Sequence, residues 1–512
     1  MNKKYEWILV LFVILFISSA MTWSANFCNH HEADSLLPAI MSLQKLTFYY
    51  WGENRFGNVI PFLASWIGNI GWNFKFQVLL RALGTSTIPL LVFLLLGSNK
   101  KVIEKYIIAV SLMLLSIKHA SGDLWLYANP YGQSAAFLLI AVYIHYQNKY
   151  IKDKRSILLA TLTFVSLVIS FFINLSLIIM ILPLWFLYTV FRLDLRDKQF
   201  LAMLIISWII NFLFSHLFGH TPYMALDLGN MTDNIKAAFF SHNGITLYTN
   251  ISYFVIGIEL VIFGISLIII HQGQHQKYNF NHLTINSLII LLSIIIYLLT
   301  VANIKYVQYQ DYAARYFTLG FAFLSCITAT IFVDAASIIF SFFNKGTVNN
   351  IFVKSEVFLS IIASTIFIFA FLKIVWPIDS ACKFNDSIRA KNVDTLAIVA
   401  EEYNIHFVVG DYWIVWPTVF EIIQNRQTKN TKEADNIYGL TFRGEVVRNK
   451  IINLFNKLEP ATILCINLQE TPCYEQARKY AEDNWANNPH ILKQGSLPQG
   501  GIYLVVSFFH RK

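Results

Sequence analysis

From Trp7 onward, long apolar runs alternate with short polar breaks through most of the chain. Runs of about 15–25 residues are the length a membrane-crossing helix needs, and here they predict about eleven helices. These begin near Trp7, Phe76, Tyr106, Gln133, Ile157, Leu175, Phe200, Ile251, Ile285, Phe317 and Val357. The fifth and sixth are nearly continuous, with a polar break at Asn174, and Pro183 is placed to kink the sixth. After about Ile378 the pattern changes. Helix-like stretches ("DTLAIVAEEYN", "EVVRNKIINLFNKL", "CYEQARKYAEDNW") alternate with strand-like ones ("IHFVVGD", "ATILCINL", "GIYLVVSFF"). That alternation predicts a small α/β domain over 378–512, following a polytopic α-helical membrane domain over 1–377.

The breaks are not equivalent. The first external loop, 26–75, is long and contains two amphipathic stretches. "SLLPAIMSLQKLTF" places Leu36, Leu37, Ile40, Leu43, Leu46 and Phe48 at helical spacing, with Ser42, Gln44 and Lys45 on a polar face. "FGNVIPFLASWIGNI" is the second. Both are expected to lie in the membrane surface, with Phe48, Tyr49, Tyr50 and Trp51 at headgroup level.

Composition agrees with this reading. The chain is 56% hydrophobic and 13% charged, where soluble domains carry about 25% charged residues. Basic residues number fifteen in the amino terminus and even-numbered connections, against six in the opposite loops. This bias puts the amino terminus in the cytoplasm and, with eleven spans, the tail outside an inner (cytoplasmic) membrane. The tail has fifteen basic and fifteen acidic residues, so the net charge of +9 resides in the membrane part. It reads as topology and anionic-lipid contact rather than a nucleic-acid footprint. Lys3 and Lys4, the apolar core and Ser18-Ser19-Ala20 imitate a signal peptide, but the run to Ala25 is long enough for an uncleaved first helix. Of five cysteines, Cys465 and Cys473 either close a small loop as a disulfide or stay as buried thiols.

The candidate chemistry is concentrated where the chain leaves the bilayer. In "HHEADSLL", Asp34 precedes the first loop helix. It is either a helix N-cap or a general base, since a carboxylate at a helix start is held ionised and in place. Glu32 is the alternative base. Glu32 and Asp34 also form a possible divalent-metal pair, to which His30 and His31 are candidate additions; His31 is in addition a candidate substrate contact. In "ANIKYVQYQDYAARYF", Lys305, Arg315 and Tyr316 are candidates for a lipid phosphate, Arg315 being otherwise an interfacial anchor. In "SGDLWLYANPYGQ", Asp123 is a turn residue or a substrate contact. Tyr127 and Tyr131 belong to an interfacial aromatic belt or stack on a sugar ring. "GDYWIVWPTVF" in the tail suits carbohydrate binding, docking on the membrane or plain structure. No P-loop, dinucleotide fingerprint or nucleophile elbow is present.

Taken together, the acidic motif "HHEADSLL" after the first helix, the long first external loop, "GNVIPFLASW", the Arg-Tyr of "AARYF" and the tail's "VVGDYWIVWP" resemble the GT-C superfamily of membrane glycosyltransferases. Its members include the lipid A aminoarabinose transferases and the protein O-mannosyltransferases. The resemblance covers roughly Met1–Pro377. It implies a sugar donor on a polyprenyl phosphate, an extracytoplasmic lipid, glycan or protein acceptor and inversion at the anomeric carbon. It also implies a base matched by Asp34 and a phosphate-holding cation matched by Arg315. Separately, no cofactor is expected to be required, with a divalent metal at Glu32 and Asp34 the alternative. Many members have adjacent Asp-Glu, whereas Ala33 separates Glu32 from Asp34 here, and the His-Pro-Pro of relatives is missing. Rival readings are a transporter or lipid flippase, an O-antigen ligase or polymerase, and a membrane scaffold that presents the tail. A transporter would need paired ionisable residues within spans. Arg81, Lys118, Glu259, Asp334 and Lys373 lie in or near spans without an evident pairing pattern.

Overall fold

The structure, a computed structural model, describes residues 3–27, 33–44, 46–50, 53–96, 101–116, 131–148, 155–192, 195–218, 226–227, 229–240, 250–272, 280–309, 316–343, 361, 363–368, 370, 392, 394–429, 436–441, 461–467, 473, 475, 490–498 and 500–508. The chain divides into two compact units. The first comprises Met1–Met21, Leu80–Phe214 and Thr221–Trp376, and the second Thr22–Leu79, Ser215–His220 and Pro377–Lys512. The loop 26–75, which the sequence reading places with the membrane domain, is thus grouped with the tail.

Helices dominate the first 343 residues. They are α1 (Lys3–Phe27), α2 (Ala33–Gln44), α3 (Val59–Ala64), α4 (Ile70–Ser86), α5 (Ile88–Leu96), α6 (Val102–Ser116), α7 (Tyr131–Asn148) and α8 (Arg155–Ile173). After them come α9 (Ile178–Arg192), α10 (Leu195–Phe218), α11 (Met231–Phe240), α12 (Asn250–Gln272), α13 (Phe280–Ala302), α14 (Lys305–Tyr309) and α15 (Thr318–Phe343). Among the described residues, five stretches are long and apolar enough to cross a membrane: Ile70–Leu96, Arg155–Ile173, Lys198–Leu217, Leu283–Ala302 and Thr318–Ile339. Shorter apolar helices cover Ile8–Ala20, Tyr131–His145, Leu175–Leu187 and Ile256–Ile270. The break at Asn174 is present. Asn174 Oδ1 accepts from the Ser176 amide at 3.1 Å and caps a 3-10 turn, Leu175–Leu177, between α8 and α9.

In the first unit α15 packs on α5, α6, α12 and α13, and it is buried along most of its length. Gly320 permits the close approach to α13, since a Cβ there would lie 2.9 Å from Leu298 Cδ2. Serines and threonines in these apolar helices return their hydroxyls to the carbonyl four residues back, as Thr163, Ser293 and Thr330 do, and so need no water. Ser134 and Ser170 each donate to the other's carbonyl, at 3.0 and 2.8 Å, joining α7 to α8. One ionisable pair corrects the sequence reading. Lys105 is one of the fifteen basic residues counted above in the amino terminus and even-numbered connections, which the charge bias makes cytoplasmic. It lies instead on α6 with its side chain fully buried, 2.7 Å from Asp334 Oδ1 on α15. Glu259 on α12 is also buried and accepts from Ser325 Oγ at 3.0 Å. Exposed Ile206, Ile209 and Leu213 on α10 and Leu260, Val261 and Ile265 on α12 form apolar outer faces of the kind that lipid solvates.

The second unit contains a five-stranded mixed sheet in the order β4–β3–β5–β7–β6. Its strands are β3 (Phe407–Val409), β4 (Tyr438–Leu440), β5 (Ala461–Ile466), β6 (His490–Ser496) and β7 (Ile502–Phe508). β3 runs parallel to β4 and β5, while β7 is antiparallel to β5 and β6. Phe407, Val408 and Val409 are all fully buried, as a continuously apolar central strand should be. Helix 394–402 precedes β3, and α16 (Tyr412–Thr428) follows it, burying Val415, Trp416, Val419, Phe420, Ile422 and Ile423. α16 packs on β3, β4 and α2. Gly439 on β4 makes this contact possible, because a Cβ there would sit 2.6 Å from the Trp416 ring. Cys465 and Cys473 are joined as a disulfide, with Cα atoms 6.1 Å apart.

The first-loop helices therefore differ from expectation. α2 buries Ala33 and the run Ser35–Ser42 against the protein, so its apolar residues are covered by protein and not presented outward. Two side chains of its polar face find acceptors inside the protein: Ser42 Oγ donates to Asn73 Oδ1 at 2.9 Å, and Gln44 Nε2 to the Ile437 carbonyl at 2.5 Å, while Lys45 lies outside the described residues. A short hairpin, β1 (Tyr49–Tyr50) with β2 (Glu53–Gly57), links α2 to α3. Phe48 is exposed, but Tyr49 is buried, which pushes its phenol well above the ordinary value. Trp51 lies outside the described residues, as does the side chain of Tyr50. α3 fits the surface reading better, exposing Phe62 and Leu63, with Trp66 and Trp72 exposed beyond it.

Candidate functional site

α2 begins at Ala33, so Asp34 stands in its first turn and not ahead of it. The unpaired N–H groups of a helix start carry partial positive charge and favour an anion there. Pro38, one turn on, has no N–H to return to the Asp34 carbonyl. The Asp34 side chain is half-buried, between buried Ala33 and Ser35. Its Oδ1 accepts a hydrogen bond from the Tyr412 hydroxyl at 2.7 Å, across 378 positions of sequence.

Tyr412 owes its place to a well-made helix start. Asp411 is extended, with φ −66° and ψ 142°, and its Oδ1 accepts from the Trp413 amide at 2.9 Å. This is the N-cap arrangement that Asp favours. The Tyr412 ring meets Trp413 edge-on at 5.3 Å and Trp416 at 6.5 Å. Trp416 is buried against the sheet, while Trp413 is 40% exposed.

Asn73 in α4 anchors α2 from the other side. It is fully buried, accepts from Ser42 and from Gln77 Nε2 at 2.8 Å, and donates to the carbonyls of Ala64 at 2.9 Å and Ile67 at 3.1 Å. Gln77 also donates to the Pro38 carbonyl at 3.1 Å. Gln427 of α16 grips the start of α4, accepting from the Ile70 amide and donating to the Gly68 carbonyl. Phe74 and Phe420 meet edge-to-face at 5.8 Å. The first loop and the tail thus share a core, and Asp34 projects from it with its orientation fixed. A held, half-exposed carboxylate of this kind can take a proton from a hydroxyl.

The other predicted site residues are distributed as follows. Glu32, His31, Asp123, Tyr127 and Arg315 lie outside the described residues. Tyr316 is in the first unit and is buried; its carbonyl accepts from the Tyr297 hydroxyl at 2.7 Å, which ties the head of α15 to α13. Lys305 is exposed at the head of α14. Tyr131 is buried at the head of α7, with its ring covered by protein. Among the described residues no three His, Cys, Asp or Glu side chains come together as a metal would require, and Glu32, His30 and His31 are not among those residues. Sequence reasoning marks Tyr412 only as one aromatic of the tail motif "GDYWIVWPTVF", with no link to Asp34, and does not mark Asn73. The "DYW" of the tail is the available signal for Tyr412, whereas Asn73 has none.

Compared with solved structures, the chain aligns over 99% of its length, and over 98% of the other chain, with ArnT from Cupriavidus metallidurans bound to undecaprenyl phosphate, at 8% identity and a TM-score of 0.49. It also aligns over its whole length, and over 75% of the other chain, with the archaeal oligosaccharyltransferase AglB from Archaeoglobus fulgidus in complex with an inhibitory peptide and a dolichol-phosphate, at 11% identity and a TM-score of 0.43. No family model matches the chain, and no curated protein matches it in sequence.

Proposed function

We propose that the protein is an integral membrane glycosyltransferase that moves a sugar from a polyprenyl phosphate to an extracytoplasmic acceptor, with Asp34 as general base. The observation that carries this reading is the half-buried Asp34 carboxylate in the first turn of α2, oriented by the Tyr412 hydroxyl at 2.7 Å. It joins a proton acceptor to the residue that the GT-C resemblance marks out. In the proposed reaction an acceptor hydroxyl oxygen bonds to the anomeric carbon as its proton passes to Asp34. The bond from that carbon to the phosphate oxygen breaks on the opposite face, and its electron pair leaves with the polyprenyl phosphate. The leaving group needs charge stabilisation more than a proton. Arg315 is proposed to supply it, with Lys305 and Tyr316 nearby in sequence. Eleven spans, an inner-membrane location with a cytoplasmic amino terminus, and an outside tail belong to the same proposal. The Cys465–Cys473 disulfide supports the tail's placement, since such bonds persist in oxidising compartments. The reaction is proposed to require no cofactor, a divalent metal at Glu32 and Asp34 being the alternative that chelation tests.

The test is transfer by the purified protein. Radiolabelled polyprenyl-phosphate sugars are supplied as a panel with envelope extract from the host. Label is expected to move from the lipid to an acceptor for at least one donor. No transfer across the panel by folded protein that also binds no donor would overturn the reading.

A further inference from the structure

We infer that Tyr412 is a positioning residue for the Asp34 carboxylate, so that the tail helix α16 completes the reaction centre; the inference rests on Asp34 being the base. A carboxylate presents about four lone-pair sites and rotates easily about its terminal torsion. The Tyr412 hydroxyl, donating at 2.7 Å to Oδ1, favours one rotation of the carboxylate over the others. This donor is itself fixed. Asp411 caps the helix that carries it, and Trp413 and Trp416 meet its ring edge-on. The buried face of α16, from Val415 to Phe420, is set in the core of the second unit. The acceptor is fixed as well, through Ser42, Gln77 and Gln44. Two rigid elements from opposite ends of the chain therefore meet at one short bond to the candidate base. A binding or catalytic group held on rigid helices by a second, packed layer is the arrangement that preserves reactive geometry. A phenol suits the task because it offers one O–H on a stiff ring and brings no charge of its own to compete with the carboxylate.

A merely structural role, holding α2 against α16, makes different predictions, and Tyr412→Phe separates the two. The substitution keeps the ring and its packing and removes the donor. As a positioning residue, its loss lowers kcat by about 10–100-fold, the scale of a slight misplacement of a reacting group. Donor and acceptor KM stay within about two-fold. In an Asp34→Asn background the same substitution has no further effect, because the two residues act as one unit. A second readout needs no turnover. Labelling of Asp34 by a water-soluble carbodiimide, followed by peptide mass spectrometry, rises in Tyr412→Phe, since the carboxyl has lost a donor that favours its ionised form. Unchanged kcat together with unchanged labelling, or an effect that adds fully to that of Asp34→Asn, overturns the inference. Should the wild-type protein transfer no sugar, the transferase reading falls and the labelling decides the role of Tyr412 by itself. Gel filtration of each variant checks that the fold is intact.

Discussion

Replacing Asn73 tests the scaffold behind the candidate base. Its amide makes four hydrogen bonds from a fully buried position, two given to the carbonyls of Ala64 and Ile67 and two accepted from Ser42 and Gln77. A net of about 1 kcal/mol for each sets an upper figure near 4 kcal/mol for Asn73→Ala. Part of this is recovered. Ser42 also donates to the Ala39 carbonyl, Gln77 to that of Pro38, and the Ala64 carbonyl keeps the Ile67 amide. The expected cost is therefore about 2–4 kcal/mol, felt locally in the segment from α3 to the start of α4. Hydrogen exchange read by mass spectrometry is the suitable assay, because it resolves local opening without requiring two-state unfolding of the whole chain. Amide protection across residues 59–73 should fall by about 30–1000-fold, the equivalent of that free energy at 1.36 kcal/mol per decade. Asn73→Asp should cost at least as much, since a carboxylate oxygen would then face two carbonyl oxygens. A loss of protection below about three-fold in both variants would refute the reasoning and show that the four bonds contribute little net stability.

Other consequences follow from the second unit. Serine at both Cys465 and Cys473 should destabilise it by about 2–3 kcal/mol in thermal unfolding, as expected for a short closed loop. Reductant should do the same to the wild type and nothing to the variant. Gly439→Ala should cost about 1–3 kcal/mol in the same assay, because the new Cβ meets the Trp416 ring and Val415 within 2.8 Å. The hydrogen bond from Lys493 holds the Glu402 carboxyl below its ordinary range, and Lys493 is raised by the same contact. The pair therefore stabilises above the unfolded carboxylate value of about 4.3 and below the unfolded lysine value of about 10.4. Its contribution disappears as pH falls through the depressed Glu402 value, so Lys493→Met should blunt the acid limb of the tail's melting profile. Finally, transfer should proceed at full rate in EDTA.

Much of the helical layout is legible in the sequence because an uncharged apolar run of membrane-spanning length is seldom anything but a helix. Helices begin within a few residues of most of the expected starts, and the Asn174 break is present. Strands β3, β5 and β7 are legible for a related reason: short apolar runs bounded by polar residues fit buried strands. What escapes a sequence reading is long-range and polar. Ser42 and Gln44 look like a solvent face until Asn73 and the Ile437 carbonyl are known to meet them, so α2 reads as a surface helix. Lys105 looks like a loop cation because Asp334, its partner, lies 229 positions away. α16 is hidden because Tyr412, Trp413, Trp416 and Pro417 resemble a binding motif more than a helix, although Asp411 is a good cap for one. Asp34 stands out by its place in the chain. Its bond to Tyr412 does not, because no local pattern encodes a contact between the first loop and the tail.

The central claim is that Asp34 takes the acceptor proton. The most direct measurement is the rate of sugar transfer by Asp34→Asn against the wild type, with the donor found in the panel, at matched protein and saturating donor. Glu32→Gln is measured alongside. The account predicts a fall of about 10²–10⁴-fold for Asp34→Asn, the range a general base contributes, with donor binding retained and Glu32→Gln much less affected. Transfer by Asp34→Asn at the wild-type rate would contradict it.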